Sequence, residues 1–324
     1  MRAIQVTRHG GPEVLTYGSV DDPVPAPGEV VVRTTAIGVN FIDTYLRRGL
    51  YPSTPPYIPG TEGAGVVTAV GTEVDDLEVG RRVAWTDAPA SYAESVAVRA
   101  DRAVPVPDAV PDEVAGSSLL RGLTTHYLLD GSAHPEAGDT ILVHAGAGGV
   151  GLLLTRLASA RGVRVITTVS DDAKEELSRA AGAAEVLRYG DGLVSGVRDI
   201  TGGRGVSVVY DGVGADTFEH SLAAAAIRGT IVLFGAASGP VPPFDLQRLN
   251  QAGSLSVTRP TLAHFIADPD ELAWRAGEFF AAVTDETLDV HVGNRYALAD
   301  AEQAHRDLEG RATTGSTVLV PGRP

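Results

Sequence analysis

Two short stretches of this 324-residue chain carry residue types whose spacing suggests chemistry. The first, GVNFIDTYLRRGLYP at 38–52, sets Asn40, Asp43, Tyr45 and Tyr51 within one or two helical turns. An amide, a carboxylate and two phenols so close together can orient a small polar molecule. An unperturbed carboxylate is ionised at neutral pH, so Asp43 is expected to orient rather than to deliver a proton. The tyrosines have a plainer alternative, apolar packing with the hydroxyl left wet. The second stretch, HAGAGGVG at 144–151, fits G-x-G-x-x-G through Gly146, Gly148 and Gly151. In such a turn the first glycine permits the tight bend, the second lets backbone approach a pyrophosphate, and the third lets helix and strand pack closely. Gly149 and Val150 open the helix, whose first N–H groups and positive dipole end suit an anion. The alternative is a glycine-rich turn that binds nothing.

The elements around the second stretch favour dinucleotide binding. Strand-like TILVHAG (140–146) precedes helix-like VGLLLTRLASARG, with Gly162 as its stop. There follow a strand at 163–170, a helix stopped by Gly182, strand EVLRY, a short helix near 191–201, a strand at 206–213, a helix DTFEHSLAAAAIRG and strand TIVLFGAAS. Apolar strands alternating with helices indicate a parallel, doubly wound sheet. The chain before residue 120 is different, with short Val-rich runs broken by turn signals such as PAPGE, as in a compact β domain. The tail holds an amphipathic stretch around Trp274, Phe279 and Phe280, expected to pack on the β domain, and a strand-like GSTVLVP. The expected organisation is α/β: a β-rich domain of 1–121 plus 260–324, interrupted by a doubly wound nucleotide domain at 122–259.

The second strand of that series ends TTVSDDAK. Asp171 or Asp172 could bind a ribose 2′-OH, as in an NAD site. The competing and preferred reading is helix capping, with Asp172 and Glu175 as a D-x-x-E box. Lys174, the only lysine of the chain, lies one turn on and could reach a 2′-phosphate, as could Tyr189. Ser170, Lys174 and Tyr189 are therefore placed in the cofactor site, and NADPH is the expected cofactor. His144, beside the glycine turn, is read as a hydrogen-bonded core residue rather than a general acid–base group.

Bulk composition narrows the field. Lysine plus arginine number 26 against 41 aspartates and glutamates, a net charge of −15, which argues against a nucleic-acid partner. There are no cysteines, which removes disulfides, thiolate zinc sites and cysteine nucleophiles. The eight histidines show no helical i, i+3 or i+4 pairing, so no metal site is expected. MRAIQVTRHG lacks an apolar core of the signal-peptide kind, and no apolar run approaches a membrane span, so a cytoplasmic protein without membrane attachment is expected.

GTEGAGVV (60–67) together with HGGPEVL, VNFIDTYLRRGLYP, GLTTHYLL, HAGAGGVGL, VYDGVG, VTRPTL and GRATTGSTVLVP resembles the zinc-free, zeta-crystallin-like quinone oxidoreductases of the medium-chain dehydrogenase/reductase superfamily. The resemblance runs from residue 9 to 321. It implies a GroES-like β-rich domain interrupted by a Rossmann domain. Zinc members of the superfamily carry a cysteine in the segment that here reads VNFID, and Gly-His-Glu where this chain has Gly60-Thr61-Glu62; Asn40 and Thr61 stand where ligands would be. The implied activity is metal-free, NADPH-dependent reduction of a small quinone in an interdomain cleft, with one-electron and two-electron transfer both open. An electron-poor quinone needs positioning and exclusion of water more than a Lewis acid. The resemblance makes Asn40 and Tyr45 polar contacts to cofactor or quinone oxygen, with Tyr51 and Asp43 in supporting roles. Position at the strand ends and domain junction, where ligands sit in doubly wound folds, adds Thr124, Phe234, Gly235, Ala236, Arg259 and Arg311 to the cofactor site, Arg259 as a phosphate partner or else a linker ion pair. The resemblance also suggests a homodimer. The competing readings are an NADPH-dependent reductase of α,β-unsaturated carbonyls, which would need a proton donor to carbon, and a non-catalytic NADPH- or RNA-binding protein.

Overall fold

A computed structural model describes residues 1–322. Its contacts divide the chain into two compact units, one of Met1–Gly122, Ala267–Glu286 and Val290–Pro324, the other of Leu123–Ile266 with Thr287–Asp289.

The first unit is built on β1 (Arg2–Val6), β2 (Leu15–Ser19), β3 (Glu29–Gly38), α1 (Phe41–Arg48), β4 (Gly63–Val70), β5 (Arg82–Trp85), β6 (Ser95–Arg99) and β7 (Val104–Pro105). The ten-residue β3 is its axis, pairing antiparallel with both β4 and β6. Val30 and Val32 on β3 join Val67, Val83, Trp85, Val96 and Val98 in one buried cluster, the apolar face that alternation in these strands produces. Gly38 ends β3, and Asn40 caps α1 from an extended conformation. Gly49, left-handed at φ 74°, stops that helix, with Arg47 and Arg48 in its last turn. The helix α2 (Asp112–Tyr127) carries the chain onward.

The second unit holds β8 (Thr140–Val143), α3 (Gly149–Ala160), β9 (Arg164–Val169), α4 (Asp172–Ala180), β10 (Glu185–Arg188), α5 (Gly192–Ile200), β11 (Val206–Asp211), α6 (Phe218–Ala224), β12 (Ala225–Leu233), α7 (Gln247–Gln251), β13 (Ser256–Thr258) and α8 (Leu262–Phe265). The six strands lie in the order β10-β9-β8-β11-β12-β13, every neighbour parallel. This is the doubly wound arrangement, whose order reverses beside β8. α8 stays with this unit, where Phe265 stacks on Tyr127 at 4.4 Å.

Residues 225–229 depart from expectation. The alanine run predicts helix through Gly229, yet α6 stops at Ala224 and β12 begins at Ala225. Ala225 pairs with Val206, and the register then shifts before Val208 meets Thr230. Pairing with a buried strand overrides the helix preference of alanine, strong as that is among the residue types.

The chain then returns to the first unit as α9 (Pro269–Thr284), β14 (Val292–Ala297), α10 (Ala301–Glu309) and β15 (Ser316–Val320). β15 pairs antiparallel with β3 at Gly38 and Ile37, and β14 lies parallel beyond it. The buried face of α9 uses Leu272, Ala276, Phe279 and Phe280, while Trp274 stays about half exposed at 49%.

Candidate active site

In the second unit the glycine turn begins where β8 ends. The Gly146 N–H donates to Thr168 O at 2.9 Å, and the Gly148 N–H to Ala145 O at 2.8 Å. The left-handed residue of the turn is Ala145 at φ 55°, not Gly146. Gly146 is required for space instead: a Cβ there would lie 2.5 Å from Thr167 Cβ. Gly151 is constrained in the same way by Ala145 O. Gly148 differs, because a Cβ there would meet only Ala145, its backbone oxygen at 3.1 Å being the nearest atom. Its outer face is open, and with Gly149 and Val150 it starts α3. The turn therefore offers a cradle of backbone N–H groups at a helix N-terminus, which fits a pyrophosphate.

The second strand presents the next group. Asp171, rather than Asp172, is the N-cap of α4, its Oδ1 accepting from the Lys174 N–H at 2.9 Å. The capping frame thus falls one residue earlier than the D-x-x-E spacing predicts, and Asp172 pairs with Arg188 at 2.5 Å. Asp171 Oδ2 accepts from Ser170 Oγ at 2.7 Å and lies 3.4 Å from Lys174 Nζ. The backbone hydrogen bond from Lys174 comes first among the influences holding the Asp171 carboxyl below its usual range. Its oxygens are occupied by the cap. Lys174 Nζ donates to Ser170 Oγ at 3.0 Å, so Ser170 and Lys174 form one donor cluster at the end of β9. Tyr189, beyond β10, accepts at its hydroxyl from the Ala145 N–H at 2.9 Å, tying the third strand to the glycine turn.

His144 is buried. Ser221 Oγ donates to acceptors, Asp211 Oδ2 at 2.7 Å among them, so His144 Nε2 donates to Ser221 and Nδ1 accepts from Thr168 Oγ1. Burial pushes its pKa down to about 4. It is a neutral core residue that links the ends of β8, β9 and β11. Thr124 is buried in α2. Phe234, Gly235 and Ala236 follow β12, and the close backbone approach at Gly235 is to Gly212 of the neighbouring strand end. Arg259 is exposed after β13, donates to Pro260 O at 3.3 Å, and has no ion pair among the described residues. Arg311 is exposed and left-handed at φ 59° after α10 of the first unit.

In the first unit, Asn40 and Asp43 come together, whereas Tyr45 packs against the rings of Phe41 and Tyr51. Asp43 Oδ2 accepts from the Asn40 N–H at 2.8 Å and from the Tyr92 hydroxyl at 3.1 Å. Asp43 is fully buried, and its Oδ1 has no hydrogen-bond partner. Desolvation raises its pKa to about 7. The expectation of an ordinary, ionised carboxylate is therefore corrected: its charge changes near neutrality, although its place behind Asn40 is that of an orienting group. Tyr45 is half-buried and packs edge-on against Tyr51 at 5.4 Å, with Tyr51 38% exposed.

Six residues escape the sequence reading. Glu62, fully buried, accepts from Asn40 Nδ2 on Oε2 and from the Leu120 N–H on Oε1, both at 2.7 Å. Burial raises its pKa against the opposing charge of buried Arg121. Tyr92 lies 3.0 Å from His305 Nε2, His305 Nδ1 lies 2.8 Å from Arg47 Nη1, and Arg47 makes a bidentate pair with Glu309 at 2.8 Å. Arginine only donates, so His305 Nδ1 accepts, Nε2–H donates to Tyr92, and the Tyr92 proton goes to Asp43. Burial, aided by Arg47, holds His305 down at about 3. A local signal existed for Arg47, four residues after Asp43, but i, i+4 spacing suggests a direct pair. The actual partners lie 258 and 262 residues away.

Two family descriptions match: "Alcohol dehydrogenase GroES-like domain" over residues 26–108 and "Zinc-binding dehydrogenase" over residues 149–275. The chain is 46% identical over 325 aligned positions to a quinone oxidoreductase of Pseudomonas aeruginosa, covering 99% of each. The chain belongs to the quinone oxidoreductase family of the medium-chain dehydrogenase/reductase superfamily. Among solved structures it is similar to a mycobacterial protein in complex with NADPH (TM-score 0.97, 53% identity, covering 99% of this chain and 100% of that one). It is likewise similar to the quinone oxidoreductase of Escherichia coli in complex with NADPH (TM-score 0.97, 42% identity, covering 99% and 100%). The word zinc in the second family description finds no matching donor cluster among the described residues. Among the described residues no three histidine, aspartate or glutamate side chains converge, and each Glu62 oxygen already accepts a hydrogen bond, from Asn40 Nδ2 or from the Leu120 N–H.

Proposed function

We propose that this chain is an NADPH-dependent quinone reductase. The observation that carries the reading is the pairing of an open glycine cradle at Gly148 with the Lys174–Ser170 donor cluster at the end of the next strand. The first suits the pyrophosphate that distinguishes a dinucleotide from a mononucleotide, and the second suits the 2′-phosphate that distinguishes NADPH from NADH. The full-length relatives named above support it. The backbone of Gly148, Gly149 and Val150 would hold the pyrophosphate. Lys174, Ser170 and Tyr189 would hold the 2′-phosphate. When bound, NADPH supplies the hydride that reduces the quinone. Asn40 and Tyr45 orient the quinone and donate to the carbonyl oxygen on which negative charge develops, with Tyr51 lending an aromatic face. Asp43 holds Asn40 in place. Thr124, Phe234, Gly235, Ala236, Arg259 and Arg311 are further cofactor contacts in this reading. No residue is placed as a proton donor to substrate carbon, which favours quinones over enones.

The test is initial rates of NADPH and NADH oxidation with 1,4-benzoquinone in EDTA, corrected for the uncatalysed reaction. Turnover that survives EDTA and prefers NADPH is expected. Turnover with enones and none with quinones would overturn the reading.

No helix among the described residues is long and apolar enough to cross a membrane; action in the cytoplasm is part of the proposal. So is a homodimer. β13 ends the parallel sheet with only β12 beside it, and Val257 on it is 37% exposed. A second copy pairing there would cover an open strand edge.

A further inference from the structure

The Asn40 amide is held from behind by the carboxylate of Glu62. Glu62 is completely buried. Its two oxygens receive two different donors, the Leu120 backbone N–H and the Asn40 Nδ2, each at 2.7 Å. A backbone N–H cannot reverse its role, and a carboxylate has acceptors for both. The arrangement therefore determines which end of the Asn40 amide faces inward. Space is made for it: at Gly38, the last residue of β3, any Cβ would collide with the Glu62 carboxylate. Asp43 restrains the same residue independently, through the Asn40 backbone N–H at 2.8 Å.

We propose that Glu62 is a positioning residue for Asn40: by accepting one Nδ2 hydrogen it fixes the amide so that the second is presented to a quinone oxygen in one orientation. The proposal rests on the reading of Asn40 given above. Glu62 acts only through Asn40, and that makes it separable from a residue that merely stabilises the fold.

Glu62→Gln is the discriminating change. A side-chain amide has one acceptor end and one donor end, so in this variant position 62 cannot accept from both Leu120 and Asn40. With the Leu120 bond retained, Asn40 must turn over and offer its oxygen inward. A neutral hydrogen bond corresponds to about 2- to 12-fold in rate. Thus E62Q should lower kcat/KM for 1,4-benzoquinone by up to roughly tenfold, N40A by a similar factor, and E62Q/N40A no further than N40A. NADPH affinity, read by fluorescence titration, should change less than about twofold in E62Q. If E62Q does not fold, E62D keeps the charge, shortens the reach by one methylene and is read in the same cycle. An unchanged kcat/KM in E62Q, or an equal additional loss in the N40A background, would overturn the proposal. One readout needs no turnover: the side-chain 15N–1H pair of Asn40, identified by its disappearance in N40A. It should shift in E62Q. If the wild type reduces no quinone, the functional reading fails alone, and an unmoved amide pair would still sink the positioning of Asn40.

Discussion

Lys174 and Asp43 show how neighbours change what a side chain does. Lys174 is held by Ser170 and Asp171, which keeps its ammonium at the end of β9 instead of on the solvent face of α4. A hydrogen bond to a charged group contributes about 1.5–3 kcal/mol. Lys174→Ala should therefore raise the KM for NADPH at least tenfold and leave that for NADH nearly unchanged. Asp43 gives a pH dependence of stability. Its folded pKa of about 7 lies above the ordinary carboxylate value, so between about pH 4 and pH 7 the folded state holds the extra proton. The stability of the wild type relative to Asp43→Asn should be greatest below pH 4, fall as pH rises to 7, and level off above it. The full change is on the order of 4 kcal/mol. Buried His305 produces the opposite trend at acid pH, but both proteins carry it and its effect cancels in the comparison. Chemical denaturation of the two proteins from pH 4.5 to 8 checks this; a constant difference would mean that Asp43 does not titrate there.

The turn between β8 and α3 separates two uses of glycine within one motif. A Cβ at Gly146 would lie 2.5 Å from that of Thr167, a β-branched residue, whereas a Cβ at Gly148 would meet only Ala145, its backbone oxygen nearest at 3.1 Å. Gly146→Ala should lower stability by about 1–3 kcal/mol through overpacking. Gly148→Ala should cost under about 1 kcal/mol of stability yet weaken NADPH binding at least tenfold, because the added methyl fills the cradle. Thermal melts and fluorescence titrations distinguish the two. Equal losses of stability would contradict the assignment of Gly148 to ligand approach. The same contrast shows why a glycine pattern alone says little: each position is demanded by a different neighbour.

At the scale of the molecule, the sheet of the second unit ends at β13, a three-residue strand with its outer side unpaired. If two copies pair there, Val257→Pro removes one ladder donor and introduces a ring at the junction. The wild type should then run as a dimer in light scattering and V257P as a monomer that still binds NADPH. A monomeric wild type would end that proposal without touching the catalytic one.

Local spacing was enough for much of this. The strand–GxGxxG–helix context, the glycine stops after α3 and α4, and the pairing of Asn40 with Asp43 depend on contacts within a few residues, which sequence records directly. The alternation of apolar strands and helices likewise carried the parallel sheet, since strands buried on both faces have no polar side to show. Tertiary structure decided the rest. Ala225–Gly229 became strand, with Ala225 paired to Val206 of β11. Ala145, not a glycine, took the left-handed position of the turn. The charge state of Asp43 depends on a desolvation that no spacing reveals. Glu62, Tyr92, Arg121 and His305 reach the site of Asn40 from four separate parts of the chain. Hydrogen bonds across 22 to 258 residues leave no periodic trace in a sequence, and only the folded chain shows which donors meet which acceptors.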